Sequence, residues 1–276
     1  MKPILIDMSD YVVSGEGANG VSYNHVSDPD VMLKMYFPGK VQQPIDEYNV
    51  ANKVFQTGIP TPEPGDLVTD GERVGIRFRR LRGKVSFARA IGDNPSAAAD
   101  YAVDFARMCR ELHATHVDTA DFENVKDRYL RLLADNPFFD AAQKEKIAAF
   151  IRKAPDADTA IHGDLQFGNA LIVGQERYFI DLGDFCYGYP MFDLGMVYAT
   201  NYVSDEAFIQ EAFHMDKATA KRFFDAFLPA YFGPDADLDA ALAELKIYAG
   251  LKTLIVERDT RRPMHEFRAL LEGVIY

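Results

Sequence analysis

The densest group of chemistry-bearing residues is the run His162-Gly163-Asp164-Leu165-Gln166-Phe167-Gly168-Asn169, followed by Ile180-Asp181-Leu182-Gly183. An aspartate such as Asp164 can accept the proton of a hydroxyl, and the Asn169 amide oxygen and Asp181 carboxylate are hard donors suited to Mg²⁺, which bridges phosphate oxygens. Upstream, Gly15-Glu16-Gly17-Ala18-Asn19-Gly20 is a G-x-G-x-x-G run. Alone it fits a dinucleotide fingerprint or a plain hairpin. A dinucleotide loop leads into a helix, whereas Val21 to His25 reads as a strand, so the run is expected to be a flap over phosphates. Val31-Met32-Leu33-Lys34 ends an apolar strand on a lysine that could reach the α- and β-phosphates; its other reading is a solvated strand end. A carboxylate on the following helix should pair with it, Glu47 first and Asp46 second.

Asp164 precedes Asn169 by five positions. That is the spacing of the kinase catalytic loop H-R-D-L-x-x-x-N with Gly163 replacing its arginine, and Asp181-Leu182-Gly183 stands where D-F-G would stand. The order of motifs resembles the aminoglycoside phosphotransferase and choline kinase family. Its pattern runs H-G-D-x-x-x-x-N, I-D-x-x-D/E and G-x-P-x-x-D-L. Here these are His162 to Asn169, Ile180 to Asp184, and Gly188-Tyr189-Pro190-Met191-Phe192-Asp193-Leu194.

The resemblance implies an α+β, protein-kinase-like bilobal fold and transfer of the γ-phosphoryl group of ATP, with Mg²⁺, to a hydroxyl of a small molecule. It implies Asp164 as catalytic base, Asn169 and Asp181 as metal ligands, and Gly15, Gly17, Gly20, Lys34 and Glu47 on the nucleotide. It places Arg79, Arg80 and Leu81 at a hinge whose backbone meets adenine, and has His162 fix the catalytic loop by hydrogen bonding. Leu33, Ile76, Phe78 and Ile180 read either as walls for the base or as core, and His113 and Cys109 as packing residues. Between Asp181 and Asp193 there is no room for a long activation segment and no A-P-E follows, which disfavours a protein acceptor. Two other readings are a catalytically silent nucleotide-binding module and a Rossmann dehydrogenase. The presence of Lys34, Asp164, Asn169 and Asp181 speaks against the first, and the missing βαβ unit against the second.

The elements that must position these residues fall into two patterns. Up to about Arg80, β-rich runs alternate with turns: Leu5 to Val13, Val21 to His25, Val31 to Tyr36, Gly65 to Val68 and Arg73 to Phe78. One amphipathic helix, Gln43 to Thr57, interrupts them and ends at the proline-rich stretch from Gly58. From Ala97 the spacing is helical, with helices expected at 121–135, 140–153, 193–202, 218–232 and 238–258 and a β-rich island over 159–181. A nucleotide-binding lobe over 1–80 and a helical lobe over 81–276, with a cleft between them, is the arrangement expected.

The 276 residues carry 30 Lys+Arg against 42 Asp+Glu, a net charge of −12. A nucleic-acid partner would need clustered basic residues, so none is expected. Two cysteines are too few for a disulfide framework, and no run reaches the ~18 apolar residues of a membrane span, so a cytoplasmic protein with no membrane partner is expected. Acidic residues cluster late in the chain, as Asp205, Glu206, Glu211, Asp235, Asp237, Asp239, Glu244 and Glu257. They read either as a solvated helix surface or as recognition of an amine-bearing alcohol.

Overall fold

Alternation of side chains along Val31–Tyr36 turns Leu33 and Met35 to one side, where both are fully buried, and makes this strand the centre of the first sheet. The structure, a computed structural model, describes residues 2–17 and 19–275; Ala18 of the glycine-rich run and the terminal Met1 and Tyr276 lie outside the described residues. The strands are β1 (Ile4–Leu5), β2 (Tyr11–Gly17), β3 (Gly20–His25), β4 (Val31–Tyr36), β5 (Pro64–Thr69) and β6 (Val74–Arg79), in the order β1-β5-β6-β4-β3-β2. All neighbours are antiparallel except β1 and β5. The single strand expected over 5–13 is instead β1, a 3₁₀ turn at Met8–Asp10 and the start of β2. The turn forms because the Asp7 side chain accepts the Ser9 N–H. Helix α1 (Gln42–Gln56) follows β4 and stops at Gly58, whose φ of +83° suits a residue without a side chain.

Two compact units make up the chain: Met1–Val85 with Ala170–Asp184, and Ser86–Asn169 with Phe185–Tyr276. The division expected at 80/81 therefore falls at 85/86, and the hairpin β9 (Ala170–Val173) and β10 (Glu176–Phe179) joins the first unit. The reason is hydrogen bonding. Strand β7 (Val85–Ser86) adds to the hairpin in the order β10-β9-β7, and the Phe179 N–H donates to the Pro60 carbonyl at 2.8 Å.

The second unit holds α2 (Phe87–Asp93), α3 (Ala98–His113), α4 (Val125–Asp135), α5 (Ala141–Lys153), α6 (Met191–Tyr198), α7 (Glu206–Phe213), α8 (Lys217–Phe232), α9 (Leu238–Leu251) and α10 (Thr253–Thr260). It also holds the strand pair β8 (Ala160–Ile161) and β11 (Cys186–Tyr187). Helix α6 runs into a π-helical turn at Ala199–Val203. The long helix expected over 238–258 is two helices that break at Lys252. Its core is aromatic: the Phe105 ring centroid lies 5.8 Å from both Phe223 and Phe227, and Phe167 lies 5.4 Å from Phe223 and 4.5 Å from Phe213. Each such ring contributes about 1.5–3 kcal/mol by leaving water.

Candidate active site

In the first unit, β2 and β3 form a hairpin in which Gly17 pairs with Gly20, and Asn19 pins its end by taking the Phe37 N–H on its carbonyl and Lys40 on its side chain. The three glycines divide. A Cβ on Gly20 would stand 2.1 Å from the Met35 carbonyl oxygen, so this glycine is needed for β3 to lie against β4. Gly15 and Gly17 are exposed; a Cβ on Gly15 meets nothing within 4 Å, and one on Gly17 only the Gly20 carbonyl, at 3.8 Å. Their missing side chains serve no packing role and leave the outer surface of the hairpin bare at these two positions.

Lys34 is not a solvated strand end. Its ammonium donates to both Glu47 oxygens at 2.7 and 2.9 Å and to Asp181 Oδ1 at 2.9 Å. Burial pulls its pKa down, but the Glu47 and Asp181 charges outweigh that and the net shift is upward. Of the two carboxylates expected to pair with it, Glu47 does so from the buried face of α1, while Asp46 is exposed and accepts from Gln42. Tyr36, fully buried two residues after Lys34, donates its hydroxyl to Glu47 Oε2. Burial and the Glu47 charge raise the pKa of that hydroxyl well beyond its normal range, so it remains a donor. Asp181 holds a left-handed φ of +61°, an unusual conformation for a residue with a side chain and one that clusters at functional sites. Gly183 follows so closely that its Cβ would lie 3.4 Å from Glu47 Oε2.

At the expected hinge, the Arg79 N–H donates to the Glu63 carbonyl at 2.8 Å and the Arg80 N–H to the Asp30 carbonyl at 2.7 Å. Those two N–H groups are therefore engaged by the unit's own backbone. Leu81 stands just beyond β6, in a loop. Leu33 and Ile76 are fully buried and belong to the core.

In the second unit, the run His162 to Asn169 follows β8. Gly163 has φ +85°, which turns the chain sharply before Asp164. The Asp193 carboxylate, at the first turn of α6, receives the His162 N–H at 2.6 Å and the Gly163 N–H at 2.8 Å. His113 Nε2 meets the same carboxylate at 3.1 Å, and His113 Nδ1 meets the Tyr231 hydroxyl at 2.7 Å. Burial pushes the Asp193 pKa up, but these contacts and nearby cations outweigh it and hold the group below the usual carboxylate range. Leu165 and Phe167, both fully buried, anchor the loop from its apolar side. Asn169 donates its amide to the Asp164 carbonyl at 3.0 Å and to Asp164 Oδ2 at 2.8 Å, and His162 Nδ1 lies 3.4 Å from the Asp164 N–H.

Asp164 and Asn169 are thus brought together in one unit, and Lys34, Glu47 and Asp181 in the other. Sequence reasoning passed over Asp193 and Tyr36 and read His113 as packing. Asp193 was quoted in a motif and could have been found there, since a buried aspartate starting an apolar helix needs donors; the 80-residue separation of His113 from it leaves no local signal. Among the described residues no three His, Cys, Asp or Glu side chains are grouped to hold a metal on their own. An amide oxygen such as that of Asn169 and a carboxylate such as that of Asp181 are each hard donors of the kind that bind Mg²⁺.

The sequence model of the "Phosphotransferase enzyme family" matches residues 13–237, well over half of the chain. Among solved structures, an aminoglycoside phosphotransferase, APH(4)-Ia, aligns at 13% identity over 97% of this chain and 93% of that one, with a TM-score of 0.64. An amicoumacin kinase in complex with AMP-PNP, Ca²⁺ and Ami aligns at 17% identity over 99% and 89%, with a TM-score of 0.57. A choline/ethanolamine kinase family protein from Mesorhizobium loti aligns at 18% over 96% and 85%, with a TM-score of 0.52. No curated protein matches the chain. The α+β architecture is that of these kinase-like structures.

Proposed function

The chain belongs to the phosphotransferase enzyme family, and from that premise we propose that it transfers the γ-phosphoryl group of ATP to a hydroxyl of a small molecule. The observation that carries this reading is Lys34 held by Glu47 and Asp181, a fixed cation on the strand beside a glycine hairpin whose outer glycines are open. In this reading Lys34 and the Gly15 and Gly17 amides hold nucleotide phosphates. Asp164 orients the acceptor hydroxyl and takes its proton as the acceptor oxygen bonds to the γ-phosphorus and the bond to the β-phosphate oxygen breaks. Asn169 keeps Asp164 in place, and Asn169 and Asp181 would hold Mg²⁺, which neutralises phosphate charge. Two buried free thiols, Cys109 and Cys186, and the absence among the described residues of a helix able to cross a membrane are compatible with the cytoplasm, where ATP is found.

The acceptor is proposed to be an amine-bearing alcohol. Several of the acidic residues that suggested it have local tasks: Asp205 and Asp237 cap helices, and Glu257 is buried against Arg268 and Asn136. Glu244 is different, because it faces Tyr189 and Tyr248 and raises the pKa of both after burial. The reading rests on that carboxylate and those rings.

A screen of ADP release over aminoglycosides, choline-like amines, amino alcohols and sugars tests the activity. Asp164→Ala should then lower kcat by ~10²-fold or more while nucleotide affinity stays near wild type. Wild-type turnover in this variant would remove Asp164 from the base role. The KM of a cationic acceptor should rise between about 0.1 and 1 M salt as the Debye length falls from about 10 to about 3 Å. A flat KM, or a neutral acceptor, would make the acidic surplus a solvated surface.

A further inference from the structure

The second unit contains a buried histidine that the proposed mechanism does not use. His113 lies at the end of α3, and its ring meets a polar group at each nitrogen: Asp193 Oδ2 stands 3.1 Å from Nε2, and the Tyr231 hydroxyl 2.7 Å from Nδ1. An ionised carboxylate only accepts, so Nε2 carries the hydrogen; in the neutral ring Nδ1 then offers a lone pair, and the Tyr231 hydroxyl donates to it. The opposite tautomer would set the Nε2 lone pair against Asp193 Oδ2, two acceptors with no hydrogen between them. Burial above all, then Cys109, Asp193 and Tyr189, raise the pKa of the Tyr231 hydroxyl, so its proton stays available.

The bonds therefore run in one direction, from Tyr231 on α8 to His113 on α3 and from His113 to Asp193 on α6. Asp193 in turn takes the His162 N–H on Oδ2 at 2.6 Å and the Gly163 N–H on Oδ1 at 2.8 Å, and Gly163 is the residue before Asp164. Packing does not call for the Tyr231 hydroxyl. Helix α8 already meets α3 through Phe105 against Phe223 and Phe227, and the Tyr231 ring lies against Phe227 and Phe232 at centroid distances of 5.8 and 5.0 Å.

We propose that Tyr231 is a positioning residue for phosphoryl transfer: its hydroxyl fixes the His113 ring with Nε2–H on Asp193, so that the carboxylate stays aimed at the two backbone N–H groups that set the place of Asp164. A ring held at one nitrogen can turn about its Cβ–Cγ bond, and Asp193 can then turn with it. A ring held at both cannot. The effect belongs on the rate and not on binding, because Tyr231 reaches the reacting atoms only through His113, Asp193 and the loop backbone.

The inference rests on the proposed phosphoryl transfer with Asp164 as base, and Tyr231→Phe tests it by removing the hydroxyl while keeping the ring. With an acceptor from the screen, kcat should fall by about 10-fold, the scale of a displacement well under an ångström, while KM for ATP and acceptor stays within about twofold. The thermal midpoint should drop by no more than about 2–4 °C, as for one lost hydrogen bond. His113→Gln places an amide donor toward Asp193 but has no Nδ1 for Tyr231 to hold, so adding Tyr231→Phe to it should lower kcat no further. The ring nitrogen NMR shifts of His113 should show the hydrogen on Nε2 in the wild type and an unbonded Nδ1 in Tyr231→Phe, with faster amide exchange at His162 and Gly163. An unchanged kcat, the same loss of kcat in the His113→Gln background, a wild-type ring carrying its hydrogen on Nδ1 or on both nitrogens, or a Tyr231→Phe protein that does not fold would each overturn the proposal. If the wild type released no ADP with any acceptor, the phosphotransferase reading itself would fall, and unchanged ring shifts and exchange rates would then overturn the hold on the loop as well.

Discussion

Lys34 and Asp193 are each the charged centre of a cluster, but the two clusters are built from different bonds. Lys34 is held by carboxylates, with its side chain 18% exposed and that of Asp181 40% exposed. Asp193 is held by two backbone N–H groups and a buried histidine, and is itself fully buried. An ion pair that water can reach is exchanged at small cost when another anion arrives, whereas a buried carboxylate loses donors that nothing else replaces. The first arrangement suits the role on phosphate proposed for Lys34. The second suits a loop that holds Asp164 still for the role proposed for it.

The largest effect that comparison predicts is at Asp193. Asp193→Asn keeps the shape, but its amide nitrogen would face an N–H donor and the charge that attracts His113 would be gone. A loss of about 3–5 kcal/mol is expected in denaturant unfolding, with activity lost as the loop frees Asp164. A cost under ~1 kcal/mol would mean that the loop is held by Leu165 and Phe167 rather than by Asp193.

Next come the glycines, which divide the first unit within itself. Gly20→Ala forces a Cβ against the Met35 carbonyl and should destabilise by about 1–3 kcal/mol. Gly15→Ala should leave the unfolding midpoint nearly unchanged and weaken ATP binding, read by titration calorimetry. If both alanines cost stability equally, the open hairpin would be part of the packing and not a phosphate flap.

That Lys34 pairs with Glu47 and that Asp164 lies against Asn169 was legible in the sequence, because residue type and spacing carry it. Asp164, Asn169 and Asp181 lie within one short stretch, and Lys34 ends a strand whose alternation is visible in Val31 to Tyr36. The same alternation gave Val21 to His25, Val31 to Tyr36, Gly65 to Val68 and Arg73 to Phe78 within a residue of their observed bounds, while the run over 5–13 is broken by the Met8–Asp10 turn; the helix expected over 140–153 is α5. What could not be read depends on distance along the chain or on a geometric break. The hairpin at Ala170–Val173 and Glu176–Phe179 belongs to the first unit through backbone bonds to Pro60 and β7, which no local pattern announces. The break at Lys252 interrupts an unbroken apolar periodicity, and the hinge N–H groups of Arg79 and Arg80 are spent on carbonyls chosen by the fold.

Tyr36→Phe probes the Lys34 cluster more gently than any charge change. It removes one buried hydroxyl and leaves Glu47 bonded to Lys34, so the expected loss is about 1–2 kcal/mol in stability, with a weaker and more salt-sensitive grip on nucleotide. A loss as large as that of Asp193→Asn would put Glu47 in the same class as the buried loop anchor and erase the distinction between the clusters.

The smallest effect should come from Asp70, a second exchangeable pair in the first unit. At the turn between β5 and β6, Asp70 Oδ1 accepts the Glu72 and Arg73 N–H groups at 3.0 and 2.7 Å, and Oδ2 accepts Arg73 Nε at 2.8 Å. Partial burial raises its pKa, but the hydrogen bonds and the Arg73 charge outweigh it and leave the pKa below 3.8. A carboxylate depressed in the folded state contributes stability above its unfolded pKa and loses it as pH falls through the folded one. Asp70→Ala should therefore be less stable than wild type by on the order of 1 kcal/mol at neutral pH. That difference should hold down to about pH 4 and shrink below it, as protonation takes from wild type what the mutation removes. Urea unfolding of both proteins from pH 7 to pH 2.5 measures it. A difference that stayed constant to the lowest pH would show that the turn is held by the side chain's shape and not by its charge, and would place Asp70 with the uncharged contacts of the fold.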